Sequence, residues 1–147
     1  MTVQRLDHTS IVVRDLESAI TFFTELGLAL DGRVPIAGDW ADAVNGIVGL
    51  RVEIAMMRTP DGHGALELTR FDSPEPVVQQ PDAATPQALG LRSIMFAVTD
   101  IDATLERLRA VGGELIGEIA NYEGIYRLCY VRGPEQVIVA LAEEQPR

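Results

Sequence analysis

The sequence contains no lysine, because all 12 basic residues in its 147 positions are arginine. Catalysis through a lysine Schiff base or a lysine general base is therefore excluded. The formal net charge is −10 and the arginines are scattered, so the chain offers no basic patch to nucleic acid or to an anionic membrane. These absences leave a small organic molecule or another protein as the expected partner.

The sequence is also poor in cysteine and lacks long apolar runs. No stretch approaches the ~20 apolar residues of a membrane-spanning helix, and the opening Met-Thr-Val-Gln-Arg-Leu-Asp-His has no signal-peptide pattern. The single cysteine, Cys129, cannot form an intrachain disulfide, and its apolar neighbours indicate a small core residue. We therefore expect a cytoplasmic protein of single-domain length.

An internal repeat has an offset of 85 positions (93 − 8), which holds through Gly27 and Gly112. His8 and Ser93 open its two copies, each of which continues as an alternating strand and an amphipathic helix that a glycine ends. Asp15 and Asp100 fall at the starts of these helices, where a carboxylate can accept the free N–H groups of the first turn. We therefore predict that both aspartates are N-caps.

The second half of the unit repeats as well. Residues 58–61 match residues 132–135, and each set is a turn between two β-rich runs. Each copy is therefore a β-α-β-β-β unit, and the expected fold class is α+β. The β-rich runs cover residues 51–57 and 65–71 in the first copy, and residues 126–131 and 137–142 in the second.

Proline marks the boundary between the two copies. Residues 72–90 hold four of the eight prolines, which is typical of an extended linker. We predict one domain that consists of module one (residues 1–71), this linker and module two (residues 91–147).

A short segment of module one, residues 38–46, has no counterpart in module two. It is predicted to form a helix capped by Asp39, and it carries Trp40, the only tryptophan. This helix is either a lid packed on the core or one wall of a ligand pocket, and the sequence favours neither.

Strand alternation divides the side chains between two faces of each sheet. The apolar set should pack on the helices, and the mixed set should face whatever the sheet encloses. In module one the apolar set includes Ile11, Leu66 and Leu68, whereas His8 and Glu67 belong to the mixed set. In module two the second face is expected to carry Ser93, Met95, Ala97 and Ala140.

Several motifs resemble those of the vicinal oxygen chelate superfamily, the group of glyoxalases, bleomycin resistance proteins and extradiol dioxygenases. The first copy has a strand that opens His-x-x-Ile-x-Val-x-Asp-Leu, a Phe-Phe helix that ends Leu-Gly, and a late Leu-Glu-Leu strand. The second copy has Phe-Ala-Val-Thr-Asp-Ile-Asp and Arg-Gly-Pro-Glu. The resemblance covers nearly the whole chain. It implies two tandem βαβββ modules that form a curled mixed sheet around a pocket, in a homodimer.

The resemblance also implies where a metal would bind. Metal-dependent members take ligands from four equivalent strand positions, which map onto His8, Glu67, Ser93 and Ala140. His8 and Glu67 suit zinc, iron, manganese or nickel, whereas a neutral serine is a poor ligand and alanine is none. Two ligands fall short of the usual three, so a divalent metal is a candidate cofactor and none is certain. Three nearby residues do not repair the set, namely His63, Gln136 and Glu143.

His8 and Glu67 are candidate catalytic residues even without a metal. A carboxylate beside a histidine stabilises the protonated imidazole and fixes its tautomer, which makes an acid–base dyad. The simpler alternative is a hydrogen-bonded histidine at the floor of the pocket. Aromatic and polar residues elsewhere are open to two interpretations. They either bind the ligand, or the aromatic residues only pack and the arginine only lies at the surface. The candidate ligand-binding residues are Trp40, Ser93, Met95, Tyr122, Tyr126 and Arg127, with Tyr130 on the strand face of Tyr126.

Two functional hypotheses follow from these observations. The first is a small-molecule-binding protein or metal-independent enzyme with an incomplete metal site. The second is a divalent-metal-dependent lyase, epimerase or dioxygenase that uses His8 and Glu67. A structural or protein-binding module is a third and weaker interpretation.

Overall fold

The computed structural model describes residues 2–79 and 85–146. The chain divides into two compact units, Met1–Val77 and Val78–Arg147, which contain module one and module two respectively. The division falls inside the linker that was predicted at residues 72–90. Residues 80–84 of that linker lie outside the described residues.

Module one comprises four strands and two helices. In chain order they are β1 (Thr9–Val12), α1 (Leu16–Leu26), β2 (Ala29–Ala37), α2 (Asp39–Asn45), β3 (Arg51–Arg58) and β4 (Ala65–Ser73). The strands form one mixed sheet in the order β1-β4-β3-β2. β1 and β4 are parallel, and the other two pairs are antiparallel.

Module two repeats this plan without a counterpart of α2. Its elements are β5 (Ser93–Val98), α3 (Ile101–Ala110), β6 (Glu114–Tyr122), β7 (Tyr126–Arg132) and β8 (Ile138–Glu144). The strand order β5-β8-β7-β6 and the parallel β5–β8 pair match those of module one. The predicted α+β fold of two βαβββ modules is confirmed, and each module has its own curled, open sheet.

The helix α1 covers one face of the sheet of module one. Its buried side chains include Phe22 and Phe23, and the sheet contributes Ile11, Leu66 and Leu68, all of them buried as predicted. Full burial of one such side chain contributes roughly 1.5–3 kcal/mol. This apolar layer therefore fixes which face of the sheet α1 occupies.

The helix α3 covers the matching face of module two. Leu105 and Leu108 are buried in the helix, and Val139 and Leu141 are buried in β8, as the alternation predicts. Cys129 of β7 belongs to the same layer, and burial raises the pKa of its thiol. The thiol is therefore a protonated core group, as expected from its apolar neighbours.

Charged side chains extend the contact between α1 and the sheet beyond the apolar layer. Arg33 of β2 is paired with Glu17 of α1, and its Nη2 lies 3.0 Å from a carboxylate oxygen of Glu53 in β3. Arg70 of β4 is 2.9 Å from the second oxygen of Glu53 and 3.0 Å from Asp72. Because these groups are partly exposed, each pair adds little stability, but the row links one helix to three strands.

Aspartates cap the two helices that the repeat predicted. Asp15 accepts the N–H of Ser18 at 3.0 Å, and Asp100 accepts the N–H of Ala103 at 3.0 Å. Both carboxylates satisfy backbone donors that have no partner inside the helix. The predicted caps are confirmed.

The predicted cap of α2 is wrong. Asp39 is the first residue of the helix, and Gly38 occupies the N-cap position without a side-chain hydrogen bond. Gly38 has φ +113° and ψ 177°, a conformation that disfavours residues with a Cβ, so an aspartate does not take this place. Asp42 instead accepts the N–H groups of Gly49 and Leu50, at 2.8 and 3.0 Å.

The strand β4 is longer than its sequence pattern indicated. It ends at Ser73, two residues beyond the predicted end at Phe71, because Arg51 still pairs with Ser73 across an irregularity in the register. Among the described helices none is both long enough and apolar enough to cross a membrane.

The cap of α1 predicts a pH dependence of stability. The hydrogen bonds from the N–H and hydroxyl of Ser18 hold the pKa of Asp15 below its usual value. The charged cap therefore stabilises the fold above the unfolded-state pKa of about 3.9, and this contribution is lost as the pH falls through the lower folded-state pKa. We expect Asp15→Asn to be less stable than wild type at pH 7, and the difference to shrink below about pH 4.

Urea unfolding at several pH values measures this difference in the free energy of unfolding. Asp39→Asn is the matched control, because it removes a carboxylate from the first turn of α2 that receives no capping hydrogen bond. A difference between Asp15→Asn and wild type that stays constant down to pH 2 would contradict the prediction.

Candidate functional site

The face of the first sheet opposite α1 carries the predicted histidine and glutamate; we call it the site face. His8 directly precedes β1, and Glu67 lies within β4, where it pairs with Ser10. Successive side chains of β4 point to opposite faces, so Leu66 and Leu68 lie under α1 while Glu67 points away from it. The site face is therefore a direct consequence of the apolar packing on the other side.

A hydrogen-bonded row of side chains occupies this part of the site face. The Nε2 atom of His8 lies 3.2 Å from Oε2 of Glu67, and its Nδ1 atom lies 2.9 Å from Oδ2 of Asp7. The other carboxylate oxygen of Glu67 accepts the hydroxyl of Thr69 at 3.2 Å. At the opposite end, Asp7 receives Nη2 of Arg5 at 2.9 Å. The structure thus brings the two predicted catalytic residues into direct contact.

The imidazole of His8 stands between two carboxylates. A ring nitrogen donates a hydrogen bond only when it carries a proton, and a neutral imidazole carries one proton for two nitrogens. Both contacts are therefore hydrogen bonds only when the ring is doubly protonated or when Glu67 or Asp7 holds a proton. Nε2 of His8 and Oε2 of Glu67 thus lie together at a solvent-accessible position, which is the geometry of an acid–base dyad.

Asp7 remains a charged acceptor within this row. The hydrogen bond with His8, followed by that with Arg5, holds the pKa of the Asp7 carboxyl below its usual value. Since Asp7 contacts Nδ1, the other ring nitrogen of His8 is the one directed at Glu67. Asp7 thus orients the ring, as the second carboxylate does in many histidine-dependent sites.

The row is accessible from solvent. The side chain of His8 is 34 % exposed and that of Glu67 is 23 % exposed, so a ligand can reach both without rearrangement of the core. The helix α2 packs on the same site face, where Ala41 is buried against Val52 and Phe71. Phe71 follows Glu67 by four residues, which places this cluster roughly 13 Å along β4. Trp40 of α2 is 61 % exposed and is therefore available to a ligand.

Two residues of this site, His8 and Glu67, could bind a metal ion. Within residues 2–79 and 85–146, no group of three or more histidine, cysteine, aspartate and glutamate side chains is arranged to hold one. Asp7 does not supply a third ligand beside Nε2 of His8, because it lies at the opposite ring nitrogen. The residues present therefore do not fit a catalytic metal held by three protein ligands.

The corresponding face of module two has different side chains at the same positions. Met95 of β5 pairs with Ala140 of β8, as Ser10 pairs with Glu67, so Ala140 occupies the glutamate position. Tyr130 pairs with Ala140 from the other side and is partly exposed. The remaining predicted residues of this face are a half-buried Ser93 and the exposed cross-strand pair of Tyr122 and Tyr126.

Arg127 lies on the opposite face of module two, toward α3. Its two terminal nitrogens are 2.6 and 3.2 Å from the carboxylate of Asp102 in the first turn of that helix. This pair holds the pKa of Asp102 below its usual value. Glu143, on the same face, accepts the N–H of Ile101 at 2.7 Å. Arg127 therefore does not share a face with Tyr126 and Tyr130, and it contacts α3, the helix of the same module.

Asp7 and Thr69 are the site residues that the sequence did not indicate. Asp7 stands next to His8 in the chain, but strand alternation would send its side chain to the opposite face. The contact exists because residue 7 precedes β1 and is free of that alternation. Thr69 follows Glu67 by two residues, so strand alternation predicts that it lies on the site face. The alternation does not predict the hydrogen bond from its hydroxyl to Glu67.

The chain is similar to known proteins in sequence and in structure. Residues 5–141 match the family model described as the Glyoxalase/Bleomycin resistance protein/Dioxygenase superfamily. The uncharacterized protein YwbC of Bacillus subtilis (strain 168) is 29 % identical over 135 residues, which are 90 % of this chain and 91 % of YwbC.

Two solved structures show the extent of the structural similarity. A glyoxalase family protein from Bacillus cereus is 47 % identical, with a TM-score of 0.94 over 99 % of this chain and 97 % of that protein. TnmS3, an antibiotic binding protein from Streptomyces sp. CB03234, has a TM-score of 0.61 at 20 % identity, over 100 % of this chain and 99 % of its own. The second likeness is one of fold.

The contact between Asp7 and His8 predicts the protonation pattern of the ring. The chain has two histidines, so His63→Gln leaves His8 as the only source of imidazole signals. We expect ¹⁵N NMR to show a protonated Nδ1 in this background, because Asp7 accepts its proton. After the further change Asp7→Ala, the tautomer with the proton on Nε2 should gain population. Identical imidazole spectra with and without Asp7 would refute the contact.

Proposed function

The chain belongs to the Glyoxalase/Bleomycin resistance protein/Dioxygenase superfamily, and from that premise we propose that it binds a small organic molecule on the site face. In this proposal the His8–Glu67 pair forms the polar end of the site and exchanges a proton with the ligand without a protein-bound metal. The observation that carries the proposal is the imidazole held between two carboxylates in a partly exposed position.

The chemistry of the pair follows from its contacts. The Nε2 atom of His8 and the Oε2 atom of Glu67 are the two atoms that a ligand can address, because Nδ1 is held by Asp7 and Oε1 by Thr69. A ligand hydroxyl or carbonyl placed at these atoms can donate to the carboxylate or accept from the ring. Asp7 acts as a positioning residue, since it touches the ring and not the ligand.

Two further observations support a binding role. Ser10 and Met56 flank Glu67 on the neighbouring strands, so the polar pair is bordered by one small and one flexible apolar side chain. Ligand sites usually combine such apolar surface with a few placed polar groups. The antibiotic-binding relative is consistent with this use of the fold, although fold alone does not determine function.

Ligand binding can be followed with the fluorescence of Trp40, the only tryptophan of the chain. Native mass spectrometry of the purified protein should first show any retained organic molecule. A panel of small organic molecules that includes bleomycin should then be titrated against the protein. We expect saturable binding by wild type, and at least tenfold weaker binding by His8→Ala and Glu67→Gln, or about 1.4 kcal/mol per tenfold change.

His63→Ala is the matched control for His8→Ala, because His63 is an exposed histidine in the turn between β3 and β4. Its binding should equal that of wild type. Retained affinity in both site variants, or no ligand retained and none bound from the panel, would refute the proposal.

A divalent-metal-dependent lyase, epimerase or dioxygenase is the second candidate function. One observation favours it: Nε2 of His8 and Oε2 of Glu67 are 3.2 Å apart, close to the spacing of two ligands whose bonds to one ion are each about 2.0–2.2 Å long. Such an ion would act as a Lewis acid toward a ligand oxygen. This function is placed second because His8 and Glu67 supply only two protein ligands, whereas catalytic metal sites normally have three.

Elemental analysis separates the two candidates. We expect wild-type protein to hold well under one equivalent of zinc, iron, manganese or nickel after gel filtration, and His8→Ala and Glu67→Ala to leave that content unchanged. A full equivalent of metal in wild type that is lost in both variants would overturn the metal-independent proposal and show that His8 and Glu67 hold the ion that the second candidate requires.

We further propose a homodimer and a cytoplasmic location. The family resemblance supports the first, and the single cysteine supports the second. The same native mass spectra report the number of subunits.

A further inference from the structure

Module two differs from module one at the position that precedes its first strand. With the offset of 85 residues, Asp7 and His8 of module one correspond to Arg92 and Ser93 of module two. A carboxylate and an imidazole are thus replaced by a guanidinium and a hydroxyl. The equivalent position has reversed its charge, so any group bound there should be negatively charged or rich in acceptor oxygens.

The guanidinium of Arg92 has an unused donor. Its Nε atom is buried and has no hydrogen-bond partner, which makes it the one buried side-chain nitrogen or oxygen without a partner among the described residues. A buried donor without an acceptor costs free energy, and such groups are rare in folded proteins. An acceptor supplied by a ligand would remove this cost.

Three arginines of the sheets have a partner that Arg92 lacks. Arg33, Arg70 and Arg127 each contact a carboxylate of their own module. Arg92 has no such ion pair within residues 2–79 and 85–146. The chain has ten more acidic than basic residues, so carboxylates are abundant. The half-buried Arg92 nevertheless has no carboxylate partner among the described residues, which leaves its guanidinium available to an anionic ligand.

The buried Nε atom lies on the edge of the Arg92 side chain that is best suited to an oxyanion. The Nε and Nη2 atoms form the edge of a guanidinium that binds an oxyanion through two parallel hydrogen bonds. Gly90 lies beside this edge, and a Cβ at that position would be 3.9 Å from Nη2. Gly90 has φ +105°, so a residue with a side chain is disfavoured there. Ser93 adds a half-buried hydroxyl next in the chain.

We propose that Arg92 is the anchor of an oxyanion site in module two that accepts the carboxylate or phosphate group of a small molecule. The Nε and Nη2 atoms hold two oxygens of the group. This site lies within the second compact unit, at residues 90–93, and does not depend on the role of His8 and Glu67. Because the net charge of −10 repels free anions, saturable binding of an anion requires such a local site.

The experiment uses two probes, inorganic phosphate and acetate, titrated into the full-length protein with chloride at matched ionic strength as the reference. The side-chain Nε–H signal of Arg92 in ¹H–¹⁵N spectra reports the contact directly. We expect this signal to shift saturably with at least one probe, which also identifies the preferred group. The same probe should raise the thermal unfolding temperature of wild type above that in chloride.

Two variants at position 92 and one control complete the test. Arg92→Gln should abolish the anion-dependent rise in unfolding temperature, and Arg92→Lys should weaken binding at least tenfold, because an ammonium lacks the two-donor edge. Arg109→Gln removes an exposed arginine of the same module and should behave as wild type.

Two results would overturn the proposal. One is the absence of a saturable shift of the Arg92 signal with both probes. The other is an equal anion response in wild type and Arg92→Gln. If Arg92→Gln does not fold, the Nε–H titration of wild type and the comparison with Arg92→Lys decide the question. Loss of ligand binding at His8 and Glu67 would leave all of these readouts unchanged, so the two proposals can fail separately.

Discussion

The parallel pairing of the first and last strand of each module is the constraint on which the candidate site depends. Paired residues of neighbouring strands share a face, so the register places Glu67 opposite Ser10 and Ala140 opposite Met95. The helix of each module then takes the face with the apolar set, which includes Leu68 and its counterpart in β8. A slip of one residue would bury Glu67 beneath α1, and the cost of an unpaired buried carboxylate opposes this strongly.

Within that frame, electrostatics organise the site in module one. A single imidazole lies between the carboxylates of Asp7 and Glu67, and their second oxygens are occupied by Arg5 and Thr69. Each carboxylate oxygen of the row therefore has a partner, and the contact of Nε2 with Oε2 is a hydrogen bond only when one of these two atoms carries a proton. A ligand that donates a hydrogen bond or a proton to this pair would therefore change its hydrogen bonding.

The two modules show how one backbone plan supports different chemistry. Their strand order, parallel pairs and helix N-caps agree, whereas the side chains on the face away from the helix do not. At the start of its first strand, module one has Asp7 and His8, whereas module two has Arg92 and Ser93 at the equivalent positions. Such divergence is expected in a family whose fold hosts several activities, because surface positions change without loss of the core.

The sequence by itself determined the repeat, the α+β class, the caps Asp15 and Asp100, and the assignment of Glu67 to the face away from α1. These features depend on local periodicity, with two residues per strand repeat and 3.6 per helical turn, and on short-range hydrogen bonds. The wrong prediction of Asp39 as an N-cap also came from a local sequence pattern. An aspartate before a helical segment is typical of an N-cap, but the pattern does not show that Gly38 has a positive φ and takes the N-cap position itself.

Only the tertiary structure decided which atoms meet. The contact of His8 with both Asp7 and Glu67, the turn of Arg127 toward Asp102, and the unused donor of Arg92 all depend on side-chain rotamers. Rotamers are set by neighbours that lie far away in the sequence and close in space, whereas the alternation of a strand is set by adjacent residues.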